Sequence, residues 1–238
     1  MRTPKSREPM SLTLRALARL LGYPDAELRE HLGEMRQALH DEAAVQPARL
    51  AELDGLIASI ASQSAIDAEA DYVQLFDSGR RTSLHLFEHV HGDSRDRGPA
   101  MIDLAMTFEA AGLYLAEGEM PDHLPVVLEY ASTQPAREAR AFLSEMAHIF
   151  SVIFSALAKR QSRYASVLGA LIELAGETAH AVNVPDDEPI DESWAEPAAF
   201  DGCSSAGQSR PTQPQPIQIV RPNAGQTAGG NAATGART

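Results

Sequence analysis

The sequence predicts an all-α protein, a single compact helical bundle of about eight to ten helices with a disordered C-terminal tail. Three observations carry this expectation. Over the first 182 positions apolar residues recur at intervals of three and four, and no convincing alternating strand interrupts them. Aromatic residues are only 5% of the 238-residue chain, so the core must be built from Leu, Ala, Ile, Val, Met and a few Phe, a mixture that favours helices. From Asn183 to Thr238, 56 residues hold 7 Pro, 6 Gly, 4 Ser and 5 Gln against only 6 Leu, Ile, Val and Phe. That is too little apolar surface to offset the entropy of ordering the chain. The expected domains are therefore 1–182, helical, and 183–238, a Pro/Gly/Ser/Gln-rich tail.

In order along the chain, Leu14, Leu17, Leu20 and Leu21 share one face of a first amphipathic helix, with Arg15 and Arg19 on the other. The two arginines break the apolar run, so the segment reads as part of the fold and not as a targeting peptide. Asp25 follows Tyr23-Pro24 as an N-cap for a helix with the stripe Leu28, Leu32, Met35 and Leu39. Pro47 starts the next, with Leu50, Leu53, Ile57 and Ile60 inward. The spacing of Ile66, Ala70, Val73 and Phe76 predicts another, ended by Asp77-Ser-Gly-Arg-Arg-Thr. After Pro99, the residues Ile102, Met106, Leu113 and Leu115 mark a helix that stops near Gly118, and Pro121 opens a shorter one with Leu124, Val127 and Leu128. Phe142, Met146, Ile149, Ile153 and Leu157 form a long stripe, and Tyr164, Val167, Leu171 and Leu174 repeat it after a polar break.

Charge and composition exclude several classes. With 20 Lys plus Arg against 33 Asp plus Glu, a net charge of −13 repels phosphate, so nucleic acid is not an expected partner. No stretch reaches the roughly 18 apolar residues that span a bilayer, so no direct membrane insertion is expected. A single cysteine, Cys203 in the tail, cannot form an internal disulfide, which fits a cytoplasmic setting.

The richest polar cluster runs from His85 through Glu88, His89, His91, Arg95 and Arg97 to Gly98. His85, Glu88 and His89 spell H-x-x-E-H, in which two histidines one helical turn apart can share a zinc ion and the glutamate can serve as base. The segment is barely two turns long before Gly92, and it offers neither a third ligand nor a cleft. A structural role in helix capping and ion pairing is the expected one, with no metal. Phosphate loops, C-x-x-C pairs and G-x-S-x-G are absent from the sequence. The carboxylates Asp67, Glu69 and Asp71 are spaced by two and so belong to a solvated side.

The residues Tyr72-Val-Gln-Leu75-Phe76, Ser83-Leu-His85-Leu-Phe87-Glu88-His89-Val-His91 and Pro121-Asp122-His123-Leu124-Pro125 closely resemble the NarJ-type nitrate reductase molybdenum cofactor assembly chaperones. Glu119-Met-Pro121-Asp122-His123 looks like the E-x-P-D-H box of the wider TorD-like group of redox-enzyme maturation proteins. The resemblance runs from Leu20 through Tyr164, and the tail beyond Phe200 departs from it. It implies a non-enzymatic, system-specific chaperone that binds the apo catalytic subunit of nitrate reductase, by its N-terminal segment, before membrane attachment. No cofactor would be bound stably. Molybdenum cofactor would be cargo of the client, with cofactor-delivery proteins as further partners.

A groove between helices could then take an amphipathic client helix by its apolar face, with carboxylates selecting a basic segment. The candidates are Tyr72, Leu75, Phe76, Phe87 and Leu124 for apolar contact, with Asp122 and His123 at the rim. For each of the apolar residues a place in the core is the more expected role, because a bundle needs such residues inside. A His123 at an acidic rim would hold its proton above the reference pKa of roughly 6.5. Two other functions fit the same chain, a general helical peptide-binding adaptor and a small helical zinc hydrolase built on His85, Glu88 and His89.

Overall fold

The computed structural model describes residues 9–92 and 94–182, which form eleven α-helices. The tail expected from 183 onward, with Cys203, lies outside the described residues. Helix α1 (Ser11–Leu20) buries Leu14, Leu17 and Leu20 and leaves Arg15 and Arg19 exposed, as its spacing dictates. Its N-cap residue, Met10, has no side-chain acceptor to offer. The Glu42 carboxylate accepts from the Leu12 and Thr13 N–H groups instead, at 3.2 and 2.6 Å, which also places a negative charge at the positive end of the helix. Asp25 caps α2 (Ala26–Glu30) by accepting from the Leu28 N–H at 2.8 Å. The stripe from Leu28 to Leu39 is buried, but it belongs to two helices, because the chain turns at His31 before α3 (Leu32–Glu42).

Helix α4 (Pro47–Ser62) buries Leu53, Leu56, Ile57 and Ile60. Helix α5 (Ala65–Phe76) turns a different face inward from the one its spacing suggests. Ala68, Tyr72 and Phe76 are buried, while Ile66 and Val73 stand 79% and 40% exposed. The aromatic rings decide between the two apolar stripes. Tyr72 and Phe76 pack against Tyr164, with centroids at 6.2 and 5.1 Å, and the Tyr72 hydroxyl donates to the Leu21 carbonyl at 2.7 Å.

A 3-10 turn, Arg80–Thr82, leads to α6 (Leu86–His91) and then α7 (Arg97–Ala110). On α7 the expected inward stripe is again outside, with Ile102 at 61% and Met106 at 59% exposure, and Phe108 is the one fully buried residue. Pro121 opens no helix. Helix α8 (Leu124–Thr133) begins three residues later, with Pro125 in its first turn. The stripe from Phe142 to Leu157 is divided at Met146 into α9 (Ala136–Glu145) and α10 (Ala147–Lys159), bent by 66°.

Helix α11 (Ala165–Ala175) is the centre of the bundle, with nine of its eleven residues buried against α10, α9 and α4. Gly176 closes it at φ 97°, and the Glu177 N–H returns to the Ile172 carbonyl at 3.0 Å. The other packing layer sets α1 against α8 and α3. Among the described residues no single helix is long and apolar enough to cross a membrane. None forms a named strand, and an isolated antiparallel bridge joins His85 to His123.

Candidate functional site

That bridge builds the site. The Leu86 N–H donates to the Asp122 carbonyl at 3.0 Å and the Leu124 N–H to the Leu84 carbonyl at 2.8 Å, so residues 84–86 lie antiparallel to 122–124. The His85 and His123 rings stack with centroids 5.2 Å apart. Asp122 is fully buried. A carboxylate out of water is tolerated only where donors and positive charge meet it. The Phe87 N–H donates to it at 3.2 Å, His85 Nδ1 at 3.3 Å, and the Arg97 guanidinium lies at 3.6 Å. Arg97 also pairs with Glu88 at 3.3 Å, and the other Glu88 oxygen accepts from the Ser83 hydroxyl at 2.6 Å. His89 Nε2 faces the Ser83 carbonyl at 2.9 Å and so must carry the proton there.

These contacts set the protonation of the cluster. The hydrogen bond to Asp122 raises the His85 pKa above its ordinary value, against the opposing effect of burial. Burial pushes the Asp122 carboxyl upward, but the hydrogen bond and charge of His85, the Phe87 N–H and Arg97 together outweigh it and hold the group below the usual carboxylate range. Burial lowers His89, and burial with the neighbouring His85 charge lowers His123. His85 is therefore the member of the stacked pair that takes the proton first.

Several expectations change here. Asp122 is not a rim charge. It is a buried anchor, because His85, the Phe87 N–H and Arg97, all from earlier in the chain, converge on it. His123 is half-buried beside a cationic neighbour, so its pKa moves down and not up. Tyr72, Phe76 and Leu124 lie in the core, at 7%, 5% and 0% exposure, whereas Leu75 and Phe87 are half-buried. The structure brings His85, Phe87, Glu88, Arg97, Asp122, His123 and Leu124 together in one knot. It places Tyr72 and Phe76 in a separate aromatic cluster with Tyr23 and Tyr164. His91 stacks edge-on against Phe87 at 5.7 Å, Pro121 is buried, and Glu119 and Arg95 are exposed.

The three residues of the H-x-x-E-H spelling are each tied to protein groups: His85 to Asp122, Glu88 to the Ser83 hydroxyl and Arg97, and His89 to the Ser83 carbonyl. Among the described residues no group of three or more His, Cys, Asp and Glu side chains could hold a metal ion. Sequence reasoning missed Ser83 as the hub of this arrangement. The available signal was a hydroxyl two residues before the polar cluster, with Glu88 in reach on the following turn.

Two larger concavities flank the bundle. One, of about 750 Å³, is lined by Leu56, Ile60, Leu75 and Tyr164 together with Asp71 and Arg163. The other, of about 720 Å³, has Phe108, Leu113, Val126 and Tyr130 as its apolar wall and Arg15 on its edge.

The helical architecture has a counterpart of known structure. A solved structure from Archaeoglobus fulgidus, named for redox enzyme maturation, superposes with a TM-score of 0.50 at 19% identity, covering 74% of this chain and 100% of that one, a likeness of fold alone. The family model described as nitrate reductase delta subunit matches residues 23–169, and the chain belongs to that family. It is 40% identical over 190 residues to the nitrate reductase molybdenum cofactor assembly chaperone NarJ of Escherichia coli K12, covering 76% of this chain and 80% of the relative. It is also similar, at 34% identity over 171 residues, 72% of this chain and 71% of the relative, to the nitrate reductase molybdenum cofactor assembly chaperone assignment NarW of the same strain.

Proposed function

We propose that this chain is a system-specific maturation chaperone for nitrate reductase. It holds the apo catalytic subunit, by the subunit's N-terminal segment, while molybdenum cofactor is inserted and before membrane attachment, and it leaves the finished enzyme. The observation that carries this reading is the 40% identity over 190 residues to a relative named as a nitrate reductase molybdenum cofactor assembly chaperone. The site supports it in chemical terms. Its titratable groups are engaged with one another, with Asp122 neutralised by His85 and Arg97, and Glu88 held by Ser83 and Arg97. Such a knot fixes loops and presents a surface; its one hydroxyl beside a carboxylate, Ser83 on Glu88, is buried, and that carboxylate is also tied to Arg97. The chain works without catalysis, in the cytoplasm, and the cofactor is cargo of the client. The engagement of His85, Glu88 and His89 with Asp122, Ser83 and Arg97 argues against the hydrolase reading.

The test is capture from nitrate-respiring cells by the tagged full-length chain. The co-purified protein is expected to be the catalytic subunit with little molybdenum. Capture of many unrelated proteins in its place would favour a general adaptor.

A further inference from the structure

We propose that the outward face of α7 is the docking surface for a basic amphipathic helix of the client. The proposal rests on the chaperone reading above and deepens it by naming a place and a chemistry. Pro99, Ile102, Met106 and Ala110 are all exposed and recur at three, four and four, so they form one continuous apolar stripe along the outside of the helix. On the helical wheel Asp103 lies to one side of that stripe and Glu109 to the other. Neither carboxylate, nor Glu117 in the loop that follows, has a hydrogen-bond partner or a cation beside it among the described residues. From Gly98 to Ala136 the chain has six carboxylates and no Lys or Arg. Arg97, at the start of the helix, is turned toward Glu88 and Asp122. The stripe is thus apolar, with acidic borders that no cation among the described residues neutralises, the complement of a helix that carries apolar residues on one face and cations beside them.

The other exposed surfaces fit that occupant less well. Ile66 and Val73 make a second apolar stripe on α5, but its carboxylates are already engaged. Ser64 bonds to Asp67 at 2.6 Å, the Tyr23 hydroxyl to Glu69 at 3.0 Å, and Gln63 to Asp71 at 2.7 Å. The groove walled by Phe108 and Tyr130 has charges of both signs on its lining, Arg15 and Arg19 with Glu129, and Arg19 pairs with Glu27 at 3.1 Å, so it lacks the uniform acidic border that would select a basic segment. Helix α7 is also lightly held, leaning mainly on α6 and anchored by Phe108 and by the ion pairs of Arg97.

The experiment uses the full-length chain and a synthetic amphipathic peptide of about 15 residues, with leucines at helical spacing and lysines between them, beside a second peptide with glutamates for lysines. Fluorescence anisotropy is read at low and high salt. The lysine peptide is expected to bind and the glutamate peptide not to bind. Ile102→Ser with Met106→Ser, both at exposed positions, should raise Kd by roughly tenfold or more. Asp103→Lys with Glu109→Lys should weaken binding chiefly at low salt. Ile66→Ser with Val73→Ser should leave Kd unchanged. Wild-type affinity in both α7 variants, or loss in the α5 variant, overturns the proposal.

The same variants then go into capture of the catalytic subunit from cells. If wild type and α7 variants capture it equally, the surface assignment falls and the chaperone reading stands. If the wild type captures no nitrate reductase subunit while the peptide still binds at α7, the chaperone reading falls and the docking face stands. Sedimentation of the wild type alone closes the alternatives. A dimer that the Ile102/Met106 variant converts to monomer would show that a second copy covers the face, and would overturn the proposal.

Discussion

Removing the Asp122 carboxylate is the sharpest perturbation the site offers. Asp122→Ala strips the acceptor from the Phe87 N–H and the counter-charge from His85 and Arg97 in one step. Deleting one partner of a buried ion pair costs about 3–5 kcal/mol. Here the partners reach water, with side-chain exposures of 36% for His85 and 26% for Arg97, so part of their charge is solvated without Asp122. The expected loss falls to about 2–3 kcal/mol, including about 1 kcal/mol for the stranded Phe87 N–H. For a folded body of this size that lowers Tm by roughly 4–12 °C. Asp122→Asn loses the charge and one of the two acceptor oxygens, but it keeps an oxygen for the Phe87 N–H and turns its NH2 toward His85 Nδ1, which can accept in the neutral tautomer, so its effect should be smaller, about 1–2 kcal/mol.

The pH dependence has a definite sign. Asp122, held below its ordinary value, contributes stability above about pH 3.9 that is lost as pH falls through its depressed pKa. His85, held above its ordinary value, contributes stability below about pH 6.5 that is lost as pH rises through its raised pKa. The gap between wild type and Asp122→Asn should therefore be widest near about pH 5.5 and narrower near about pH 9. Urea unfolding followed by helical circular dichroism measures it. A variant as stable as wild type at about pH 5.5, within roughly 0.5 kcal/mol, would refute the claim that this carboxylate anchors the two loops.

Other expectations follow from single contacts. Gly169→Ala would place a Cβ 2.5 Å from Arg49 Cζ, where the guanidinium is held by Glu173 at 3.1 Å and by Glu52, so it should destabilise by about 1–2 kcal/mol in thermal unfolding. Gly169→Ala with Arg49→Ala should recover part of the clash, and an additive double variant would count against it. Phe76→Ala removes a ring packed on Tyr72 and Tyr164, at 4.8 and 5.1 Å, and should cost about 3–5 kcal/mol of folding stability. A stable Phe76→Ala protein with weakened client binding would return Phe76 to the docking surface. His123, held below its ordinary value, contributes stability above about pH 6.5 that fades as pH falls, so His123→Gln should reduce the decline between about pH 7.5 and 5.5. His85→Gln should deepen it, and equal slopes in both variants would contradict the ordering of the stacked pair.

The inward face of α1 and the cap at Asp25 were legible because each is a local matter. One stripe of leucines stands opposite two arginines, and one carboxylate precedes a helix. Helices α5 and α7 each carry two apolar stripes with equally good spacing, and only the partners across the interface choose between them. For α5 the choice is made by Tyr164 and Leu21, more than 50 residues away in either direction. The bend at Met146 leaves no local signature either, since the apolar step of four runs straight through it without Pro or Gly. At the site, the segments containing His85 and Asp122 were both recognisable, and their pairing was not. A charged residue in a loop reads as solvated until the donors that bury it are known.

The central claim is that this chain is needed to load the catalytic subunit and is absent from the product. Molybdenum content per purified catalytic subunit, measured in a strain lacking this chain and any related chaperone, tests it most directly. The account predicts an intact subunit with little molybdenum and little nitrate reduction, both restored by the wild-type chain. Normal molybdenum content and full activity in the deletion strain would contradict it.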